Sequence, residues 1–122
     1  MKKVSLDVRL SLILDEVEAL NAKGIKPSNL LELYELEKKF LKVQEELIEE
    51  ELINKQFIYN FEDDVITFEV NNFDYSITII SNDLVFIHTF DTYDGKPILK
   101  ELNNLSVEGL KNDIMAVIAN NI

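Results

Sequence analysis

The chain contains no cysteine, which excludes disulfides and thiolate metal sites. His88 is its one histidine, so neither a histidine metal cluster nor a Cys–His nucleophile pair can be assembled. Three glycines, none clustered, leave no loop able to cradle a phosphate. The longest apolar runs, such as "VRLSLIL" and "ITII", are far too short to span a bilayer. "MKK" opens like a signal peptide, yet Asp7 and Arg9 interrupt the apolar region that should follow. Together these absences predict a cytoplasmic chain with no membrane partner. The widest gap is in positive charge. From Gln56 to Gly95, forty residues, there is no Lys or Arg, and within that gap "EDDVITFEVNNFDYS" (62–76) carries five carboxylates.

At 122 residues and 47% hydrophobic content, the chain suits one globular domain over 1–122. Net charge is −11. Residues 1–56 hold nine basic and twelve acidic side chains, whereas residues 57–122 hold three and eleven, so the acidity belongs mainly to the second half. A field of this sign repels nucleic acid, whose binding needs Lys and Arg to neutralise phosphates. It attracts basic protein surfaces and speeds their encounter. Solubility alone also accounts for such a charge.

Apolar residues recur at three- and four-residue spacings through "SLDVRLSLILDEVEALNAKG", as in a helix, with Ser5 placed as N-cap and Gly24 as the stop. A second helix is expected from Ser28 to Ile53, starting at Pro27 or Ser28. Its residues Leu33, Leu36, Phe40, Val43 and Leu47 alternate spacings of three and four, the signature of a heptad seam. Leu30, Tyr34, Leu41, Ile48 and Leu52 make a neighbouring stripe. Such a helix would be about 39 Å long at its rise per residue, so the seam predicts a homodimer interface. "EELIEEE" sets five glutamates where the helix dipole prefers cations, either as a solvated face or as a patch facing something positive.

From Phe57 the period changes to two. "FIYNF", "VITFEV", "FDYSITII" and "LVFIHTF" read as four strands joined by turns too short for anything but antiparallel neighbours. "LSVEGLKNDIMAVIANNI" closes the chain as a helix capped by Ser106, with Leu110, Ile114, Val117 and Ile118 on its apolar face. The expected fold is α+β in the order ααββββα: a helical hairpin over 1–56, a four-stranded antiparallel meander over 57–96, and a C-terminal helix within 97–122.

Asn tolerates the positive φ of a two-residue hairpin turn, so Asn71-Asn72 sets a register. Val70 then faces Phe73, Phe68 faces Tyr75 and Ile66 faces Ile77, all on the core side with Phe57, Tyr59 and Phe61. The other side receives Glu69 opposite Asp74, a like-charge pair that costs stability unless a cation compensates it. That cation comes from a partner or from a Lys of the helical half. The turn before the fourth strand leaves two registers open. One buries Leu84, Phe86, His88 and Phe90; the other buries Val85 and Ile87.

No Gly-x-Ser-x-Gly surrounds any serine, and "DTYDG" lacks the ligand positions of a calcium loop. The residues therefore predict a protein without enzymatic activity, metal or cofactor. The expected partner-binding residues are Glu62, Asp63, Asp64, Glu69, Asp74, Asp83, Asp91 and Asp94, displayed toward a basic protein that handles nucleic acid. In general character, though in no motif, the chain resembles small phage-encoded inhibitors of bacterial defence, such as anti-CRISPR or anti-restriction proteins. It is similar in the same way to immunity proteins that neutralise basic nuclease toxins. That resemblance implies an acidic inhibitor; it carries over no functional residue. Two readings stand beside it: an assembly protein oligomerising through the second helix, and a small-molecule sensor or enzyme with a pocket between helices and sheet.

Overall fold

Asn71 and Asn72 both adopt positive φ, +51° and +68°, which is the two-residue turn whose twist matches that of paired strands. Around it Val70 pairs with Phe73, Phe68 with Tyr75, Ile66 with Ile77, and Glu69 with Asp74, the register expected from the sequence. The structure, a computed structural model, describes residues 2–89 and 98–120. Its elements in chain order are β1 (Lys3–Ser5), α1 (Leu6–Ala22), α2 (Ser28–Glu49), β2 (Ile58–Asn60), β3 (Val65–Val70), β4 (Phe73–Ser81), β5 (Leu84–Thr89), β6 (Ile98–Leu102) and α3 (Val107–Asn120).

The fold is α+β, with three helices and a six-stranded antiparallel sheet in the order β1-β2-β3-β4-β5-β6. The four-stranded meander is thus corrected to six strands, one recruited from each flank of the segment 57–96. β1 is three residues long and turns only Val4 inward, too little for a period to show. In β6, "ILKEL", Ile98 and Leu102 turn inward but the middle pair departs from the pattern: Lys100 shares the inner row with Val4, Tyr59, Ile66, Ile77 and Ile87, while Leu99 points out. Lys100 ends 3.2 Å from Asp113 of α3. An inward charge on an edge strand also discourages pairing with a second sheet.

The β4–β5 turn settles the register that the sequence left open. A bulge between Ile79 and Ser81 precedes the Asn82-Asp83 turn, so Val85 and Ile87 are buried while Phe86 and His88 lie on the opposite face.

Both helices of the hairpin end on a backbone motif. At Gly24 (φ +77°) the amides of Gly24 and Ile25 return to the carbonyls of Asn21 and Leu20. At Glu51 (φ +59°) those of Glu51 and Leu52 return to Ile48 and Leu47. These are Schellman closures, the second using Glu where Gly is usual. The second closure stops α2 at Glu49, short of the expected Ile53. The chain then folds back, with Gln44 Oε1 accepting the Phe57 amide at 2.7 Å.

One core runs from Val4 to Ile118, formed by α2, α3 and the inner face of the sheet. α1 adds Leu6 to that core and otherwise packs against α2, through Leu10, Ile13 and Val17 against Leu30, Tyr34 and Leu41. α3 buries Leu110, Ile114, Val117 and Ile118 as its spacing predicted. Ser106 caps it, accepting the Gly109 amide at 3.0 Å.

Candidate functional site

Among the described residues the helices lie on one side of the sheet, and no side chain of the other face joins the core. One row on that open face crosses five strands as Ile58, Thr67, Ser76, His88 and Leu99. The next row includes Val65, Thr78, Phe86 and Glu101. Leu99 is 72% exposed and Ile80, beside the bulge, 60%. Phe86, Ile58 and Val65 are half-buried. His88 Nε2 lies 3.3 Å from Thr78 Oγ1, so the histidine belongs to the hydrogen bonding of this face. The centre is uncharged and partly apolar, and charge enters toward the margins through Lys3, Glu69, Asp74 and Glu101. An apolar centre inside a charged rim is the usual anatomy of a protein interface.

Glu69 and Asp74 do oppose each other, but not without a counter-charge. Lys55, from the α2–β2 loop, places its Nζ 2.6 Å from Glu69 Oε2. The hydrogen bond to Glu69 holds the Lys55 pKa above its ordinary value, and the charges of Glu69 and Asp74 add to it. This is the Lys from the helical half weighed above, so a counter-charge for the pair comes from within the chain. Lys55 stands between two shallow hollows of about 400 and 510 Å³; Asn71 and Asn72 line the first, and Lys3, Ile58 and Asp74 the second.

The remaining acidic residues do not gather around this pair. Glu62, Asp63 and Asp64 sit in the β2–β3 turn and Asp83 in the β4–β5 turn, at the far end of six-residue β3. That is a separation of about 20 Å at the rise of an extended strand. Several are locally engaged. Glu62 lies 3.8 Å from Lys2 Nζ, Asp63 accepts from Asn60 Nδ2 at 3.3 Å, and Asp83 accepts from Ser81 Oγ at 2.7 Å. Asp91 and Asp94 lie outside the described residues. One predicted patch is therefore two clusters, at opposite ends of the sheet.

The expected dimer seam is consumed within the chain. Phe40, Val43 and Leu47 are fully buried and Leu36 is 5% exposed, all in the core against the sheet and α3. Of the five seam residues only Leu33 is partly exposed. The glutamates at the end of α2 are also met internally, for Lys111 of α3 bridges Glu46 at 3.6 Å and Glu50.

A buried ion pair escaped the sequence reading. Arg9 of α1 donates from Nε and Nη2 to the two carboxylate oxygens of Glu37 at 3.2 and 3.4 Å. Its guanidinium stacks 4.0 Å from the centre of the Tyr59 ring. Tyr59 donates to Asp64 Oδ1 at 3.0 Å. Burial pushes the Glu37 pKa up, Arg9 draws it back, and Asp64 raises it again. Burial is also the main cause that pushes the Tyr59 pKa up to about 12. The available signal was Glu37 itself, four residues after Leu33 and three before Phe40, hence on the buried stripe.

Among the described residues no group of His, Asp and Glu side chains could hold a metal ion, and no helix is long and apolar enough to cross a membrane. No protein-family model, curated protein or solved structure matches the chain. What the fold and the site define is a class: an α+β domain whose antiparallel sheet, among the described residues, is covered by helices on one face.

Proposed function

We propose that this chain is a non-enzymatic, acidic protein-binding module, and that its open sheet face docks on a basic partner. An inhibitor covering the nucleic-acid-handling surface of such a partner is the form of this reading that the charge supports best. The observation that carries it is that, among the described residues, no helix or strand covers this face. Leu99 and Ile80 are largely exposed there beside Phe86, and Glu69, Asp74 and Glu101 stand toward the margin. An isolated folded chain gains nothing from leaving such apolar area in water. The net charge of −11 adds long-range attraction for a cationic surface. An immunity protein against a basic toxin would use the same surface chemistry. Assembly through the second helix loses its support, because that seam is core.

The test compares Leu99→Lys, on the open face, with Leu14→Lys, on an exposed position of α1. Affinity capture from the host cell should recover a basic protein whose purified form binds with an on-rate that falls as salt rises. Leu99→Lys should weaken that binding by about tenfold or more, the scale of a central interface contact, and Leu14→Lys should leave it unchanged. A partner indifferent to salt, or one held equally by Leu99→Lys, overturns the reading. So does the lack of any protein whose retention depends on this face.

A further inference from the structure

Beneath the β2–β3 turn, on the helix side of the sheet, lies a cavity of about 220 Å³. Its walls combine two chemistries. Leu33, Ile66, Ile77 and Ile79 supply branched aliphatic surface, and Arg9, Glu37, Tyr59 and Asp64 supply polar groups. A closed apolar cavity of about 150 Å³ is enough for benzene, so this one has room for a chain of about four carbons.

The polar side is one cation short. The Glu37 side chain is 1% exposed and has both carboxylate oxygens on Arg9. Arg9 is held between that carboxylate and the Tyr59 ring, with the Phe61 ring centre 5.7 Å from its guanidinium. Asp64 receives only the neutral hydroxyl of Tyr59, and among the described residues no cation pairs with it. Two carboxylates therefore border this space with a single guanidinium between them. Asp64 is exposed and Leu33 half-buried, so the cavity has a mouth at the turn.

From this we infer that the cavity binds a primary alkylammonium group, its methylenes against the aliphatic wall and its ammonium between Asp64 and Glu37. An ammonium has three donors and a compact charge, which suits two acceptors that a second guanidinium could not reach in so small a space. The group arrives on a free alkylamine or as the lysine side chain of another protein. This site is separate from the open face and does not depend on its role.

The experiment is a titration of the methyl-labelled full chain, followed by NMR, with n-butylammonium chloride and, as the neutral match, 1-butanol. Saturable shifts at the Ile66, Ile77 and Ile79 methyls are expected with the ammonium and not with the alcohol. Asp64→Asn should weaken binding by about tenfold, as loss of a charge-assisted hydrogen bond does. Asn accepts the left-handed conformation of Asp64 (φ +54°), so the turn should survive. Ile79→Phe, which fills the cavity without touching any charge, should abolish binding. Equal response to butanol, no saturable shift, or full binding by Asp64→Asn overturns the inference. Nα-acetyl-lysine methylamide then separates the sources: binding as tight as butylammonium assigns the site to a lysine side chain, and its exclusion assigns it to a free amine.

Discussion

Glu37 is a carboxylate in the core of a helix–sheet interface, and its charge is met by one guanidinium. Its pKa lies above the ordinary value of 4.5, burial being the first cause. Its charge is therefore more costly in the fold than in the unfolded chain. The stability this group contributes is complete below its ordinary pKa and is lost as pH rises through the raised value. Glu37→Gln cannot titrate. Relative to it, the wild type should lose stability as pH rises above the ordinary value of 4.5, read from urea midpoints at each pH; a difference that stays flat or grows with pH would sink the assignment. Glu51 presents the opposite case, where the backbone rather than the charge is out of place. It holds φ +59° at the position after a helix that glycine usually takes. Glu51→Gly should stabilise the chain by about 0.5–1 kcal/mol, the left-handed penalty less the added freedom of the unfolded chain. The readout is a higher urea midpoint with an unchanged slope.

At the scale of elements, α3 depends on its entry. Asn104 Oδ1 accepts from both the amide and the hydroxyl of Ser106, and Ser106 Oγ accepts from Gly109. A Cβ on Gly109 would stand 2.3 Å from Asn104 Cγ and 2.6 Å from its carbonyl oxygen. Gly109→Ala should therefore destabilise the fold by about 1–3 kcal/mol despite alanine's better helix propensity. A neutral or stabilising result in chemical denaturation would show that the Asn104 turn yields freely. The same element shows what was legible in the sequence. Ser106 and the spacing of Leu110, Ile114, Val117 and Ile118 are local signals, and all held. β6 was not legible, because its inner row contains Lys100 and its exposed row Leu99. That placement makes sense only beside Asp113, thirteen residues beyond Lys100 in α3.

For the whole molecule, the seam of α2 lies inside one chain. Phe40 is fully buried among the sheet and α3, so Phe40→Ala should cost about 3–5 kcal/mol. Its unfolding midpoint, and that of the wild type, should not move when protein concentration changes by about a hundredfold. A midpoint that rises with concentration would return the seam to a subunit interface. Charge also acts at this scale. Lys55 reaches Glu69 and Lys2 reaches Glu62 from outside the gap, so the forty residues without Lys or Arg are not forty residues without counter-charge. The open face keeps its apolar centre, and the β2–β3 turn keeps an acidic end.

The sequence by itself determined what is local. Asn71-Asn72 set the hairpin and its register, the change of period separated helices from strands, and Ser106 and Gly24 marked helix ends. Each is decided by backbone preferences or by side-chain alternation within a few residues. Tertiary structure decided everything that needed a second segment. It paired three-residue β1 with β2, turned Val85 and Ile87 inward through a bulge, and laid the heptad-like stripe of α2 on a sheet. It also brought Arg9 to Glu37 and Lys55 to Glu69. Apolar spacing states that a face is buried but not against what, because hydrophobic burial is not directional. Ion pairing likewise depends on distance in space, which the order of residues along the chain does not contain.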